Sequence, residues 1–543
     1  MSAPSPAATG ANDPSSHDVL IVGCGPVGAG AAILLAREGL RVAVLDRSSE
    51  VYDLPRAVFL DGETVRAFQR VGLGAEIAAL LHPWRETDAA CFTDSKHNVH
   101  FGIEMPPHGV NGWRDGAFFD QPEFEGRLRE LMKLESNVEA RFAHEVTGIG
   151  QDAAGVTVTA TDLATAQVVK VRATYVIACD GASSFVRRAL GIPWHNLGYD
   201  HDWLVVDIVT RDGAELPKVT MQVCDPARLT TYICGKDPFR RWEFRLLPGE
   251  SRVEMAAPDR VRSLLAPWIA PGHYELRRAV VYQFHAATAE RWREGRIFLA
   301  GDAAHQTPPF LGQGLNAGFR DVVNLAWKLP PVLSGAAPES LLESYEAERD
   351  AHAHELVDWA VAVGRLMDAL ADAEAGRASG PPPDDLMRSG YGQGRTAPPL
   401  RHGLVIEEQV SDLGVTGYLF NQPTVATHDG REAMLDELLG PGFAVVGRDA
   451  PSLEMSRESR AWLEGLGARV VDLSGLELVR GHWDRLFGAH GAAIVRPDRY
   501  VFGVTDETHT LEDLVASLRN MLVGDHASPA HRRLESRCEG ENR

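Results

Sequence analysis

Apolar and polar positions divide the chain into an alternating front part, a strand-rich middle and a second alternating part at the end. Asp18-Val-Leu-Ile-Val-Gly23 is a continuous β-branched run, as a strand buried on both faces of a parallel sheet requires. A helical stretch from Ala29 to Glu38 follows, Gly39 stops it, and Arg41-Val-Ala-Val-Leu-Asp46 reads as a second strand. Thr174–Cys179 and Arg296–Gly301 read as further strands. Between Gly191 and about Glu290 the helical period fades. Alternating runs there, such as Trp203–Asp207 and Val219–Val223, predict a β-sheet layer. The pattern is helical again from Leu325 to about Ala373. Gly380-Pro-Pro-Pro383 breaks it, and Ser389–Pro399 predicts a linker. Beyond it, Gly442–Val446 and Ala468–Val471 read as strands and Leu511–Val523 as the last helix.

The chain has 543 residues, 44% of them apolar and 24% charged, which suits three or four globular units. A net charge of −21 argues against a nucleic-acid binder and against an anionic membrane surface. The six cysteines (Cys24, Cys91, Cys179, Cys224, Cys234, Cys538) form no C-x-x-C and no zinc-finger spacing, so we expect no metal and reduced thiols in a cytoplasm. Residues 1–17 are small, polar and Pro/Ser-rich, and read as a disordered tail without a signal sequence. The longest apolar run, Val19–Ala36, holds four glycines and a proline and does not read as a membrane span.

Three segments carry chemistry. Gly23-Cys-Gly25-Pro-Val-Gly28 joins the first strand to the first helix: Gly23 for the tight turn, Gly25 for approach of a pyrophosphate, Gly28 for helix–strand packing. The helix N-terminus offers N–H donors to phosphate, and Asp46 ends the second strand where a ribose diol would lie. This βαβ unit predicts dinucleotide binding without separating FAD from NAD. Asp180-Gly181 after one strand and Gly301-Asp302-Ala-Ala-His305 after another favour FAD. From Pro308 to Asn316 the glycines Gly312 and Gly314 permit close backbone approach, and a helix starting near Gln313 would aim N–H groups at a flavin N1–C2=O edge.

Together these segments resemble the single-component class A FAD-dependent aromatic hydroxylases, with the para-hydroxybenzoate hydroxylase fold. Within that group the chain is most similar to 3-(3-hydroxyphenyl)propionate hydroxylase-like enzymes. Leu54-Pro-Arg56-Ala57, Phe119-Asp-Gln121-Pro122, Arg240–Phe244, Val281–Phe284 and Val495–Gly503 carry the likeness. The resemblance implies an α/β fold in which a Rossmann-like, glutathione-reductase-type FAD domain (18–190 and 291–395) interleaves with a β-sheet substrate domain (191–290). A thioredoxin-like C-terminal domain (400–525) and a tail (526–543) follow. Dithiol chemistry in that domain is excluded, because it holds no C-x-x-C. The implied reaction hydroxylates a phenolic ring through a flavin C4a-hydroperoxide, with NADPH or NADH and O2 as co-substrates. A homodimer is allowed.

The resemblance also implies residue roles. Pro308 would line the flavin's reactive carbon, Arg56 would touch the FAD phosphates and a mobile flavin, and Gln121 would contact the flavin. Arg47, Leu315 and Asn316 join the cofactor-binding set with Gly23, Gly25, Gly28, Asp46, Asp180, Gly181, Asp302, Gly312 and Gly314. Arg187 is read as supporting FAD or nicotinamide, and His305 as structural support. Tyr232, Tyr282 and His285 are the candidate phenol bases, each weighed against plain packing. Arg240, Arg241 and Arg245 are weighed between a substrate carboxylate and sheet salt bridges. Two other readings stay open: another flavin oxidoreductase, epoxidase- or halogenase-like, and a non-catalytic FAD-binding protein.

Overall fold

The computed structural model describes residues 17–87, 89–377, 397–483 and 489–523. The two expected tails, apart from His17, lie outside the described residues, as do Cys538 and the linker up to Thr396.

The first strand, His17–Val22, pairs in parallel with Val42–Leu45 on one side and Val168–Ala178 on the other. Val138–Arg141 and Ile297–Leu299 extend that parallel sheet at its two ends. Val19, Leu20 and Ile21 are fully buried, which is why this strand has no polar alternation. Helices Pro26–Arg37, Gln121–Leu134 and Gly314–Leu333 pack together beside it.

The second sheet has eight strands, in the order His305–Gln306, Tyr274–Ala289, Trp194–Thr210, Phe239–Arg245, Thr230–Ile233, Thr220–Val223, Ala89–Thr93, Val99–Glu104. Its last two strands come from the front part of the chain. Residues directly opposite in antiparallel pairs share a face, and here the faces differ in kind. Leu204, Val206, Tyr232, Trp242 and Phe244 form an apolar far face against Val261 and Leu265 of the helix Pro258–Leu265. The near face carries Trp203, Tyr282 and Arg245 in one row, Val205, Val280 and Glu243 in the next, and Asp207, Arg278 and Arg241 in the third. The helix Glu343–Glu374 covers one end of it, where Arg245 pairs with Asp368 at 2.5 Å.

The last part is built on Ala444–Gly447, which pairs in parallel with Arg469–Asp472 and antiparallel with Ala492–Val495. Val501–Val504 completes the sheet. Helices Arg457–Gly465 and Leu511–Val523 flank it. A buried charged seam joins this unit to the rest. Arg496 bridges Glu348 and Asp498 at 2.8 and 2.7 Å, Lys328 reaches Glu348 at 2.7 Å, and Trp327 donates to Asp498. A second tie runs from buried Arg66 to Asp436 and the Phe420 carbonyl.

Candidate functional site

The nucleotide end is shaped by close backbone packing. A Cβ on Gly28 would stand 2.0 Å from the Gly23 carbonyl oxygen, and one on Gly23 would stand 2.4 Å from that of Cys179. A Cβ on Gly25 would meet nothing within 4 Å. Space is therefore kept in front of the helix Pro26–Arg37, which has no side-chain cap and no acid in its first turn. Its first N–H groups are free for an anion. The Asp46 carboxylate accepts from Cys24 N and Ser48 N, leaving lone pairs for a hydroxyl, with Arg47 exposed beside it. Across the turn, Asp180 accepts from Val186 N while its Oδ1 is buried without a partner, and Gly181 makes the bend at φ +78°. These residues fit FAD: a cradle for the diphosphate, an acid at the ribose, and an unsatisfied acceptor within the turn.

The second wall is the stretch from Gly301 to Asn316. Buried Asp321 accepts from Gly301 N, His305 and Arg349, each at 2.8 Å, so His305 supports the backbone. Asp302 follows closely on the parallel strand Ile297–Leu299. Desolvation raises its carboxyl, and the charges of His305 and Arg56 oppose that rise. Pro308 is buried, and the short turn Pro309–Leu311 follows it. Gly312 is left-handed at φ +64°, and its Cβ would meet the Phe59 ring at 3.0 Å. The helix begins at Gly314, close to the expected start, with Gln313 at the N-cap position making no side-chain cap bond. Leu315 is half-buried. Asn316 is fully buried, and its side chain takes Asp61 N and Thr64 Oγ1 and donates to the Gly312 carbonyl. These bonds fix the loop.

Arg56 lies on an exposed loop held from two directions. Gln121 accepts from Arg56 N and Ala57 N at 2.9 and 2.7 Å. From the sheet, Arg241 donates to the carbonyls of Pro55 and Arg56 and pairs with Asp207 at 2.7 Å. Arg240 pairs with Asp237, Arg241 with Asp207 and Arg245 with Asp368, so the salt-bridge reading holds for all three. Arg187 is buried, bonded to the Ile192 carbonyl and stacked over Trp194, with its Nε left unpartnered.

Of the three base candidates, two face away from the cleft. Tyr232 sits on the far face, stacked on Trp268 with its hydroxyl on the Pro217 carbonyl. Burial pushes that phenol well above its usual value. His285 lies opposite Asp200 and forms a surface pair with it at 2.5 Å, one position out of phase with the near face. Tyr282 is on the near face, where its hydroxyl accepts from Arg278 at 3.2 Å. Trp203 in the same row packs on Phe310 at 5.4 Å, tying this face to the Pro308 loop. His201, opposite Phe284, and Glu243 also stand on the near face and were not among the expected residues. Glu243 is 2% exposed, its Oε2 has no partner, and its closest cation is Arg241 at 3.9 Å. Desolvation raises its carboxyl to about 7, with Asp207 adding and Arg241 and Arg278 opposing. Period-2 alternation through Arg241, Glu243 and Arg245 was the signal that could have found it.

The cradle marks a dinucleotide-binding protein. Residues 16–360 match the family described as FAD binding domain, and 417–521 match the HcaD C-terminal domain. A 3-(3-hydroxy-phenyl)propionate/3-hydroxycinnamic acid hydroxylase from Burkholderia vietnamiensis is 33% identical over 96% of this chain and 99% of its own length. A probable NADH-specific resorcinol 4-hydroxylase from Rhodococcus jostii is 36% identical over 92% and 94%. In fold, the chain is similar to aklavinone-11 hydroxylase in complex with FAD and aklavinone, with a TM-score of 0.76 and 24% identity over 94% of this chain and 99% of that one. The chain belongs to the family of FAD-dependent aromatic hydroxylases. Among the described residues no helix is long and apolar enough to cross a membrane.

Proposed function

We propose that this enzyme hydroxylates a phenolic ring held between the near face of the second sheet and the Pro308–Asn316 loop, using NADH or NADPH and O2. Bound FAD supplies the hydride acceptance and oxygen activation. The residues of the chain bind, orient and exclude water. Gly23, Gly25, Gly28 and Asp46 would hold the adenine half, and Asp180 and Asp302 the middle. The N–H groups at the start of the helix Gly314–Leu333 would face the flavin edge on which negative charge develops. Pro308 and Phe310 close the ring's other side, and Tyr282 stands where it can bond a phenol. The observation that carries this reading is the junction of Trp203 with Phe310, which places the sheet's near face against the loop.

The nearer relatives support the substrate class, since one is named for a hydroxyphenylpropionate and another for resorcinol. The strand order of the last unit supports a thioredoxin-like domain that acts by packing, because residues 400–525 contain no cysteine. The test is NAD(P)H oxidation by the FAD-loaded protein over a panel of phenols, with product mass detection. We expect stimulation and a product heavier by one oxygen with at least one phenol. Unstimulated oxidation with no product across the panel would overturn the reading.

A further inference from the structure

We propose that Glu243 is a specificity-determining residue whose carboxylate receives a substrate hydroxyl, so that the preferred substrates are neutral polyhydroxylated aromatics and not rings bearing a carboxylate. The inference rests on the hydroxylase reading and names the substrate class of that same site.

The position of Glu243 follows from register. It lies opposite Val205 and Thr231 on the near face. It stands between the row that touches Phe310 through Trp203 and the row that touches the Arg56 loop through Arg241. Along its own row exposure falls from 37% at Val280 to 3% at Val205 and 2% at Glu243. The row therefore runs from exposed Val280 over apolar surface to a buried acid.

The acid is under-satisfied. No cation spends a close donor on it: the Arg241 guanidinium bonds Asp207 and the carbonyls of Pro55 and Arg56, and Arg278 bonds Asp207 and Tyr282. The neighbouring Thr231 hydroxyl donates to Gln222 at 2.5 Å. A buried carboxyl oxygen without a donor is costly, and a ligand hydroxyl supplies what is missing. A ligand carboxylate at the same place would meet a like charge, and of the buried near-face guanidinium nitrogens only the single Arg278 Nε is left without a partner, too little for a two-pronged grip. The three arginines of this strand each pair with an acid of the chain itself, and of the two on the near face Arg241 is held by buried Asp207 and Arg245 by Asp368.

The experiment compares resorcinol with 3-(3-hydroxyphenyl)propionate on FAD-loaded wild type, Glu243→Gln and Glu243→Leu. Rates are taken at a pH one unit above the Glu243 value of about 7, and binding is read from the flavin spectrum. We expect wild type to favour resorcinol by at least tenfold in kcat/KM. Glu243→Leu should lose at least tenfold on resorcinol, mostly in KM and in spectral Kd. Glu243→Gln should narrow the preference by raising the propionate's kcat/KM, and it stands alone as the test if the Leu variant does not fold. A wild type that prefers the propionate, or variants that keep the wild-type ratio within twofold, would overturn the inference while leaving the hydroxylase reading intact. A wild type that hydroxylates neither these nor any other phenol would overturn both.

Discussion

Gly312 and Gly314 lie two residues apart and answer differently to a side chain. Gly312 is left-handed and abuts Phe59, whereas Gly314 is helical and its Cβ would graze only Thr307 at 3.2 Å. A residue with a side chain in the left-handed region costs about 1–2 kcal/mol before any clash. Gly312→Val should therefore keep FAD bound through the Gly23–Gly28 turn, yet release more peroxide per NAD(P)H consumed. Gly314→Ala should couple within twofold of wild type. Equal coupling in both variants would show that this loop does not shape the flavin site. Arg56→Ala should slow FAD reduction about tenfold, equivalent to about 1.4 kcal/mol, in rapid-mixing traces; an unchanged rate would remove Arg56 from the cleft's work. At this scale the sequence is readable where spacing alone specifies geometry, as at Gly23, Gly25 and Gly28. It is less so where strand phase decides. Tyr232 and Tyr282 look alike in the sequence, and only the pairing of Tyr232 with Trp242, and of Tyr282 with Trp203, separates the far face from the near one.

Among elements, the seam of Lys328, Glu348, Arg496 and Asp498 binds two long helices to the last sheet. All four side chains are at most 1% exposed. Two nearby cations and their hydrogen bonds outweigh desolvation and hold the Glu348 carboxyl far below its ordinary value, while burial lowers Lys328 to about 8. With the folded value depressed, Glu348 contributes stability that is fully present above about pH 4.5 and is lost as pH falls toward the folded value. Breaking a buried pair by removing one partner typically costs about 3–5 kcal/mol. Glu348→Gln should lower denaturant stability by about that amount and flatten the acid limb of the stability–pH curve. A change below about 1 kcal/mol, within the range of an exposed pair, would contradict the seam's role. The stretch Val495–Gly503 stood out in the sequence through family likeness, and the structure supplies a physical reason: Arg496 and Asp498 are half of this seam. Lys328 ends another stretch of that likeness, Gly301–Lys328, whereas Glu348 carried no such signal, since a charged residue in a helical pattern normally faces water.

Across the whole molecule, the parallel sheet, the β-rich layer and the final alternating unit all follow the hydrophobic periods of the chain. The second sheet's borrowing of Ala89–Thr93 and Val99–Glu104 does not, because long-range pairing leaves no local mark. The chemistry assigned to this assembly is oxygen insertion into a phenol, and it is tested most directly by isotope. FAD-loaded enzyme turns over a phenol with NADH under labelled dioxygen, and the product is weighed. The account predicts one labelled oxygen in each hydroxylated product, with none taken from water, and product formed in proportion to coupled NADH. NADH consumption that yields only peroxide across the phenol panel, or a product whose new oxygen comes from water, would contradict it.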